Sequence, residues 1–266
     1  MDIVFRKLEL AAALSAEEKG ALRSTFRLNR KFDAGQDLLQ EGAAPSLVGA
    51  LLSGMLCRYK RVADGLRQIV SLSLPGDIFD LHSFTIQTMD HSIGAVMRST
   101  VATAKPAALA QVAEAYPRLG VLLWREAVVE SSVFREWIVN CGRRRAYSRI
   151  AHLLCEIYVR SAEVGLAKDG ACPLPLTQCD LGDATGLSVV HVNRVLHLLR
   201  TQKLIAFGAR RLTVLDWAGL AEAADFSPAY LHARENIRPP VREFHSHSGG
   251  RDLVRAVASE STGRDR

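Results

Sequence analysis

The sequence predicts an α+β fold: a β-roll in the N-terminal half, a long central helix, and a winged helix-turn-helix domain near the C-terminal end. Three observations predict it. Short segments of β character alternate with turn residues over 26–112. Apolar residues at helical spacing follow over 117–145. The segment 176–204 then carries the caps and the glycine of two short helices joined by a tight turn.

The first half begins with a short helix, because Ser15 and Glu18 have the spacing of a capping box. Ser53-Gly54 is predicted to join two strands into a hairpin, and Asp64-Gly65 turns the chain into the next strand. Evenly spaced short strands indicate a compact β-roll or barrel. The predicted strands are Phe26–Phe32, Asp37–Gln40, Leu47–Leu52, Met55–Arg61, Arg67–Leu74, Gly94–Ala104 and Ala107–Val112.

A long helix is predicted from about Pro117 to Arg145. Further apolar residues widen its main apolar stripe, so the helix must pack on more than one neighbour. One possible neighbour is a second copy of the chain, and the other is the chain's own β-roll. The stripe consists of Leu123, Ala127, Phe134, Trp137 and Cys141.

Two helices with a tight turn are predicted next. Thr177 and Asp180 resemble a capping box, with Asp in place of the usual Glu, and Gly186 accepts the left-handed backbone at the helix end. Ser188 is a good N-cap for the second helix. That helix would bury an apolar stripe of Val192, Val195, Leu196 and Leu199.

The opposite face of the second helix points to a DNA major groove. Arg194 can bind guanine or a phosphate, or be a solvated surface cation. Asn193 can pair with adenine, contact phosphate or face solvent. His191 and His197 can contact phosphate, contact a base or lie on the surface. The valines can pack on a thymine methyl group. The predicted DNA-binding residues are Thr177, Gln178, Ser188, Val189, Val190, His191, Asn193, Arg194, His197, Arg210 and Arg211.

The segment Ile205–Leu215 is predicted to form the wing, a hairpin turning at Gly208-Ala209. Asp216 would then cap a short helix to about Ala224. The tail, 232–266, is rich in Arg, Ser and Gly, and we expect it to be disordered. Arg143 to Arg145, together with Arg149, can contact phosphate near the hinge or be solvated.

Composition agrees with this function class. The 266 residues are 48% hydrophobic, and no apolar run has the ~18 residues of a membrane span. The N-terminal residues mix charged with apolar side chains, so we predict no secretory signal and a cytoplasmic protein without membrane association. The net charge is +6, and residues 141–213 hold 11 Lys and Arg against 5 Asp and Glu. The basic excess therefore lies where a polyanion is proposed to bind.

The stretch GLSVVHVNRVLHLLRTQKLI, followed by FGARRLTVLD, resembles the helix-turn-helix and wing of Crp/Fnr family transcriptional regulators. The similarity extends over roughly residues 10–217. Ser188 and Arg194 match the family's N-cap and recognition Arg, whereas Val190 stands at its acidic base-reading position. Because Val cannot accept a hydrogen bond from cytosine, the operator is expected to differ there.

The resemblance implies a cyclic-nucleotide-binding-like sensor domain (10–116), a central dimerisation helix (117–145) and a winged helix-turn-helix domain (146–217). It also implies that the chain forms a homodimer on a two-fold site in double-stranded DNA and contacts RNA polymerase. The central stripe defined above would then be the dimer contact.

The resemblance does not extend to the nucleotide site. The family's Gly-Glu pair for the ribose appears here as Asp80-Leu81, and its Arg-Ser pair for the cyclic phosphate appears as His91-Ser92. We therefore predict no cyclic nucleotide, and expect the roll to transmit another signal or none. The candidate effector residues are Asp80, Leu81, His82, His91, Ser92 and Arg98.

No other cofactor is predicted. Iron–sulfur sensors of the family carry several cysteines near the N-terminus, but the first cysteine here is Cys57. His82 or His91 is conceivable as a haem ligand, although a lone loop His usually faces solvent. Cys179, at a helix start, is a candidate redox-sensitive thiol. The pair His245 and His247 lacks a third ligand, so no metal site is predicted.

An enzyme is not predicted, because the sequence has no nucleophile–base pair, Walker loop or metal-ligand cluster. The remaining alternative is an effector-binding sensor module whose helix-turn-helix contacts a protein partner instead of DNA.

Overall fold

The structure, a computed structural model, describes residues 1–232 apart from the side chains of Leu28 and Phe84. Except for His232, the tail predicted to be disordered lies outside these residues. Two helices open the chain, α1 (Asp2–Leu8) and α2 (Ala16–Thr25). The predicted capping box of α2 is confirmed: Ser15 Oγ accepts from the Glu18 amide at 3.1 Å, and Glu18 Oε2 accepts from the Ser15 amide at 2.7 Å. The sequence did not predict α1.

The β-roll is confirmed as two antiparallel four-stranded sheets that face each other across an apolar core. One sheet has the strand order β1-β8-β3-β6, and the other has β2-β7-β4-β5. A 3₁₀ turn, Leu81–Phe84, follows β6. The strands are β1 (Leu28–Phe32), β2 (Asp37–Leu39), β3 (Val48–Ser53), β4 (Leu56–Arg61), β5 (Arg67–Ser73), β6 (Ile78–Phe79), β7 (Ser92–Ala95) and β8 (Ser99–Ala104).

The predicted hairpin of β3 and β4 is wrong. The two strands lie in different sheets: β3 pairs with β8 and β6, and β4 pairs with β5 and β7. Gly54, between them, has φ +97 and lies directly against Ser99, where an added Cβ would be 2.2 Å from Ser99 Oγ. A glycine is therefore needed at this corner, and it redirects the chain from one sheet to the other.

Two more β predictions need correction. The predicted strand Ala107–Val112 is part of helix α3 (Pro106–Ala115), which starts with proline at its first position. Proline is favoured there because its missing N–H would be unpaired in any case. The predicted strand Gly94–Ala104 is two strands, β7 and β8, in different sheets.

Helices dominate the rest of the chain, and the predicted α+β class is confirmed. The elements are α4 (Pro117–Arg143), α5 (Ala146–Glu163), β9 (Ala171–Pro173), α6 (Gln178–Thr185), α7 (Val189–Thr201), β10 (Ile205–Gly208), β11 (Arg211–Val214) and α8 (Trp217–Ala224). A small antiparallel sheet of order β10-β11-β9 forms the wing. None of the helices in residues 1–232 combines the length and the apolar character that crossing a bilayer requires.

Helix α5 is the centre of the C-terminal half. Most of its residues are buried, and its apolar side chains share one core with α6, α7, α8 and the inward face of β4 and β5. Cys57 of β4 and Cys172 of β9 belong to this core. Burial raises the pKa of the Cys57 thiol to about 11 and that of Cys172 to about 12, so both thiols are protonated at neutral pH.

Candidate nucleic-acid interface

The first helix of the motif, α6, begins and ends where the sequence predicts. Thr177 Oγ1 accepts from the Asp180 amide at 3.1 Å, and Asp180 Oδ2 accepts from the Thr177 amide at 2.9 Å. Gly186 follows the helix with φ +66, the left-handed conformation that glycine adopts without strain. The capping box and the glycine turn are both confirmed.

The second helix, α7, starts at its predicted cap, because Ser188 Oγ accepts from the His191 amide at 3.3 Å. Its predicted apolar stripe is confirmed as part of the core around α5: Val192, Val195, Leu196 and Leu199 are all buried. Burial of this stripe fixes which face of α7 is turned outward.

The outward face carries the predicted DNA-binding residues. Val189, Val190, His191, Asn193, Arg194 and His197 are all exposed. Val190 is 74% exposed, which is unusual for a branched apolar side chain. Asn193 Nδ2 donates to Gln178 Oε1 at 3.3 Å and so links α7 to the start of α6. Within the described residues, the Arg194 guanidinium has no ion pair or hydrogen bond, so it is available to a ligand.

The wing lies beside this face with a different turn from the one predicted. The turn residues are Ala209 and Arg210, with φ of +48 and +58, whereas Gly208 ends β10. Two consecutive left-handed residues are typical of the tight turn that matches the twist of a hairpin. Arg210 and Arg211 are exposed, and Arg211 Nη2 donates to the Ala171 carbonyl at 3.3 Å.

The four arginines around the junction of α4 and α5 divide into two pairs. Arg143 and Arg145 are exposed. Arg144 forms an ion pair with Glu136 at 2.7 Å, and Arg149 donates to the Thr185 carbonyl at 2.7 Å. The inner pair therefore holds the hinge and the end of α6 in place, and only the outer pair is free to meet phosphate.

A contact between the roll and the motif was not predicted. Arg67 of β5 donates to Asp180 and Asp183 of α6, each at 2.7 Å, and Gln68 donates to the Asp183 carbonyl, also at 2.7 Å. These bonds fix α6 against the edge strand of one roll sheet. No pattern in the sequence indicates these bonds, because the partners are more than a hundred positions apart.

Two family models match the chain: a Crp-like helix-turn-helix domain over residues 148–223 and a cyclic nucleotide-binding domain over residues 29–116. The nitrogen fixation regulation protein FixK of Bradyrhizobium diazoefficiens is 30% identical over 222 residues, which is 81% of this chain and 89% of FixK. The chain belongs to the Crp/Fnr family of transcriptional regulators.

Other family members agree. The transcriptional activator protein FnrL of Cereibacter sphaeroides is 28% identical over 227 residues, or 84% of this chain and 90% of FnrL. The structure of FixK2 from Bradyrhizobium japonicum superposes with a TM-score of 0.68 at 27% identity, covering 74% of this chain and 96% of FixK2. The chain is thus a DNA-binding transcriptional regulator and not an enzyme, and membership of the Crp/Fnr family favours DNA over a protein partner for the helix-turn-helix.

In the roll, the structure brings three of the candidate effector residues together. Ligand atoms of Asp80, His82 and His91 all lie within 4.8 Å of one another. His82 and His91 line a cleft of about 1100 Å³ between the roll and α4, whereas Asp80 is completely buried. The other three candidates lie apart: Leu81 is buried, Ser92 Oγ accepts from the Glu41 amide at 3.0 Å, and Arg98 is exposed 3.7 Å from Asp33.

Sequence reasoning missed the central residue of this cluster, Arg58 of β4. Its guanidinium is 2% exposed and donates to Asp80 at 3.2 Å, to His91 at 3.1 Å and to Glu130 of α4. Burial alone would raise the pKa of Asp80, but the neighbouring His91 and the charge of Arg58 lower it. Burial lowers the pKa of His82.

The exposed face of α4, the central helix of this Crp/Fnr chain, is not the predicted one. Leu123 and Trp137 are buried within the chain, where Trp137 Nε1 donates to Glu156 Oε2 at 3.0 Å, and Ala127, Phe134 and Cys141 are half-buried. A contact with a twin cannot be centred on residues that already pack internally. The exposed stripe of α4 instead consists of Val121, Trp124, Val128, Ser131, Arg135 and Ile138, at alternating steps of three and four.

Proposed function

We propose that this regulator acts in the cytoplasm as a homodimer that binds a two-fold operator through a pair of α7 helices. The exposed stripe of α4 supports the dimer. Its steps of three and four are the heptad spacing of helices that pair side by side. Trp124 is 70% exposed and Ile138 is 72% exposed, and large apolar side chains at such positions indicate a contact surface.

We propose that the outward face of α7 contacts base edges and that its neighbours contact phosphate. The single observation that carries this proposal is the free guanidinium of Arg194, one turn into a helix whose opposite face is buried. Arg can grip guanine O6 and N7, and such a pair contributes about 1–3 kcal/mol of discrimination. Val189 and Val190 suit thymine methyl groups. Thr177, Gln178, Ser188, His191, Asn193, His197, Arg210 and Arg211 complete the proposed interface.

We further propose that the bound dimer contacts RNA polymerase and activates transcription. The support is that FnrL and other matched relatives are named transcriptional activators. No cyclic nucleotide is part of the proposal, because Asp80 and His91 stand where nucleotide-binding relatives carry other residues and are bonded to Arg58.

The test is selection of binding sites from a random duplex pool by the full-length protein. We expect a two-fold consensus with half-sites one helical turn apart. Arg194→Ala should lose selectivity, with the preferred site weakened by roughly 1–3 kcal/mol, while its circular dichroism stays native. Arg27→Ala removes an exposed arginine near the start of β1 and is the matched control.

A salt titration separates the two kinds of contact. Affinity for random DNA should fall steeply with salt in both variants, because phosphate contacts release counterions. Unchanged selectivity of Arg194→Ala would remove this residue from base recognition, and a single unrepeated half-site would argue against the dimer.

A further inference from the structure

The cluster of Asp80, His82 and His91 has the donor set and spacing of a metal site. Asp80 Oδ1 and His91 Nε2 are 3.3 Å apart. Two ligands of a tetrahedral ion with bonds of about 2.0 Å are separated by about 3.3 Å, so this pair already has the required spacing. The third ligand atom, on His82, lies within 4.8 Å of both. Within the described residues the His82 imidazole has no hydrogen bond.

The orientation of His91 is fixed from outside the cluster. Its Nδ1 donates to Asp90 Oδ1 at 2.7 Å, while its Nε2 accepts from Arg58 Nε at 3.1 Å. Nε2 is therefore the unprotonated ring nitrogen, engaged by Arg58 and lying 3.3 Å from Asp80 Oδ1. A carboxylate that holds the second ring nitrogen is the usual support of a metal-binding histidine, because it sets the tautomer and the ring direction.

Asp80 is a buried carboxylate with one unpaired oxygen, and a bound cation would satisfy that oxygen. The residue is completely buried, and its backbone has φ +60, which is uncommon for any residue but glycine. Its Oδ1 is bonded to Arg58, but Oδ2 has no hydrogen-bond partner within the described residues. A buried carboxylate oxygen without a partner is destabilising, and a bound ion is one of the groups that satisfy such an atom.

The charges around the cluster favour a divalent ion. Two carboxylates, on Asp80 and Glu130, bind the one guanidinium of Arg58, and the exposed Asp90 binds the outer nitrogen of His91. The histidines add no negative charge, so the buried group of Asp80, Glu130 and Arg58 carries an excess of one negative charge. Arg58 also forms an ion pair with Glu130, so its guanidinium keeps a carboxylate partner if it moves away from Asp80 and His91.

We propose that Asp80, His82 and His91 bind a divalent transition-metal ion, and that Arg58 withdraws toward Glu130 when the ion enters. Two imidazoles and one carboxylate suit zinc, cobalt, nickel or ferrous iron. The cleft between the roll and α4 gives solvent access to the site. Since Glu130 lies on α4, occupancy of the site would be transmitted to the exposed stripe of that helix.

The experiment uses full-length protein freed of metal by a chelator and titrated with CoCl₂. We expect one Co²⁺ ion per chain and the visible absorption of cobalt bound to nitrogen and oxygen. His82→Ala should abolish that absorption. Asp90→Asn should weaken binding by about 10–100-fold, the usual effect of losing a carboxylate that supports a ligand. Asp90 is exposed, so this variant is expected to fold even if another does not.

Two control variants exclude other histidines. His197→Ala removes an exposed histidine of α7, and the double variant His245→Ala, His247→Ala removes the histidine pair of the tail; both should bind Co²⁺ like the wild type. The proposal is overturned if the wild type binds no Co²⁺, if His82→Ala binds it unchanged, or if the tail variant loses it. Each of these results would leave the DNA-binding proposal intact, because the titration contains no DNA.

Discussion

Asp77 is the residue on which three separate elements converge. Its Oδ1 accepts from Lys7 of α1 at 2.6 Å, and its Oδ2 accepts from Arg160 of α5 and from the Leu74 amide, both at 2.7 Å. Burial alone would raise the pKa of this carboxyl, but the charges of Lys7 and Arg160 lower it to about 2. The N-terminal helix, the roll and the helical half are thus joined through one ionised group.

This pKa makes stability depend on acid. A carboxyl whose pKa is lower in the folded chain contributes stability above its unfolded pKa of about 3.9, and that contribution disappears as pH falls toward about 2. In Asp77→Asn we expect a loss of about 2 kcal/mol in the free energy of unfolding at neutral pH. Urea unfolding at several pH values should show the gap to wild type closing between about pH 4 and pH 2. A gap of constant size would show that the charge of Asp77 does not stabilise the fold.

At the scale of elements, α4 has one face that packs within the chain and an opposite face that is exposed and apolar. Leu122, Val133 and Trp137 pack within the chain, whereas the exposed stripe faces outward. Our sequence-based stripe holds only buried and half-buried residues and none of the exposed ones. A helix that is apolar around most of its circumference does not reveal which side its own roll covers.

Glutamate on the exposed stripe should dissociate the dimer. Burial of the Ile138 side chain in the dimer contact is expected to contribute about 2 kcal/mol in each copy, or about 4 kcal/mol in the dimer. Ile138→Glu removes this contribution, so dimer affinity should fall by about a thousandfold. Sedimentation velocity measures the change. Leu215→Glu, at another exposed apolar position outside α4, should remain dimeric. A dimer that survives Ile138→Glu would place the contact elsewhere.

The elements that sequence reasoning located well are those fixed by near neighbours. The caps at Ser15, Thr177 and Ser188 use partners three residues away, so their signal lies within one short window. The pairing of β3 is different, since β8 lies about fifty residues further along, and no local pattern distinguishes it from β4 as a partner. The strand predicted at Ala107–Val112 is wrong because a short apolar run has no clear period. The local signal for a helix is Pro106, directly before the run, since proline is favoured at a first helical position.

At the scale of the whole molecule, the motif is bound to the roll through Arg67. Neither this arginine nor Arg58 could be chosen from the sequence, because both are ordinary strand residues whose partners come from distant elements. The candidate site was therefore predictable where it is one contiguous segment, as in α6 and α7. It was not predictable where folding assembles it from strand, loop and helix.

Removing Arg67 should loosen the motif without unfolding it. The two ion pairs are partly exposed, and together they contribute about 1 kcal/mol, so amide exchange in 178–185 should speed up about fivefold in Arg67→Ala. Hydrogen-exchange mass spectrometry locates the change. Arg98→Ala breaks an exposed pair 3.7 Å long and should leave α6 as protected as in wild type. Equal exchange in the two variants would show that the Arg67 contact does not restrain α6.

Because α4 is a single rigid rod of about 40 Å, its rotation moves both of its faces at once. In the proposed dimer, a rotation of α4 that changed the contact along its exposed stripe would also shift Trp137 and Val133 against their own chain. Dimer contact and internal packing would therefore both depend on the angle of this helix. The same rotation would move Arg143, the end of α4, from which the polypeptide continues into the DNA-binding half.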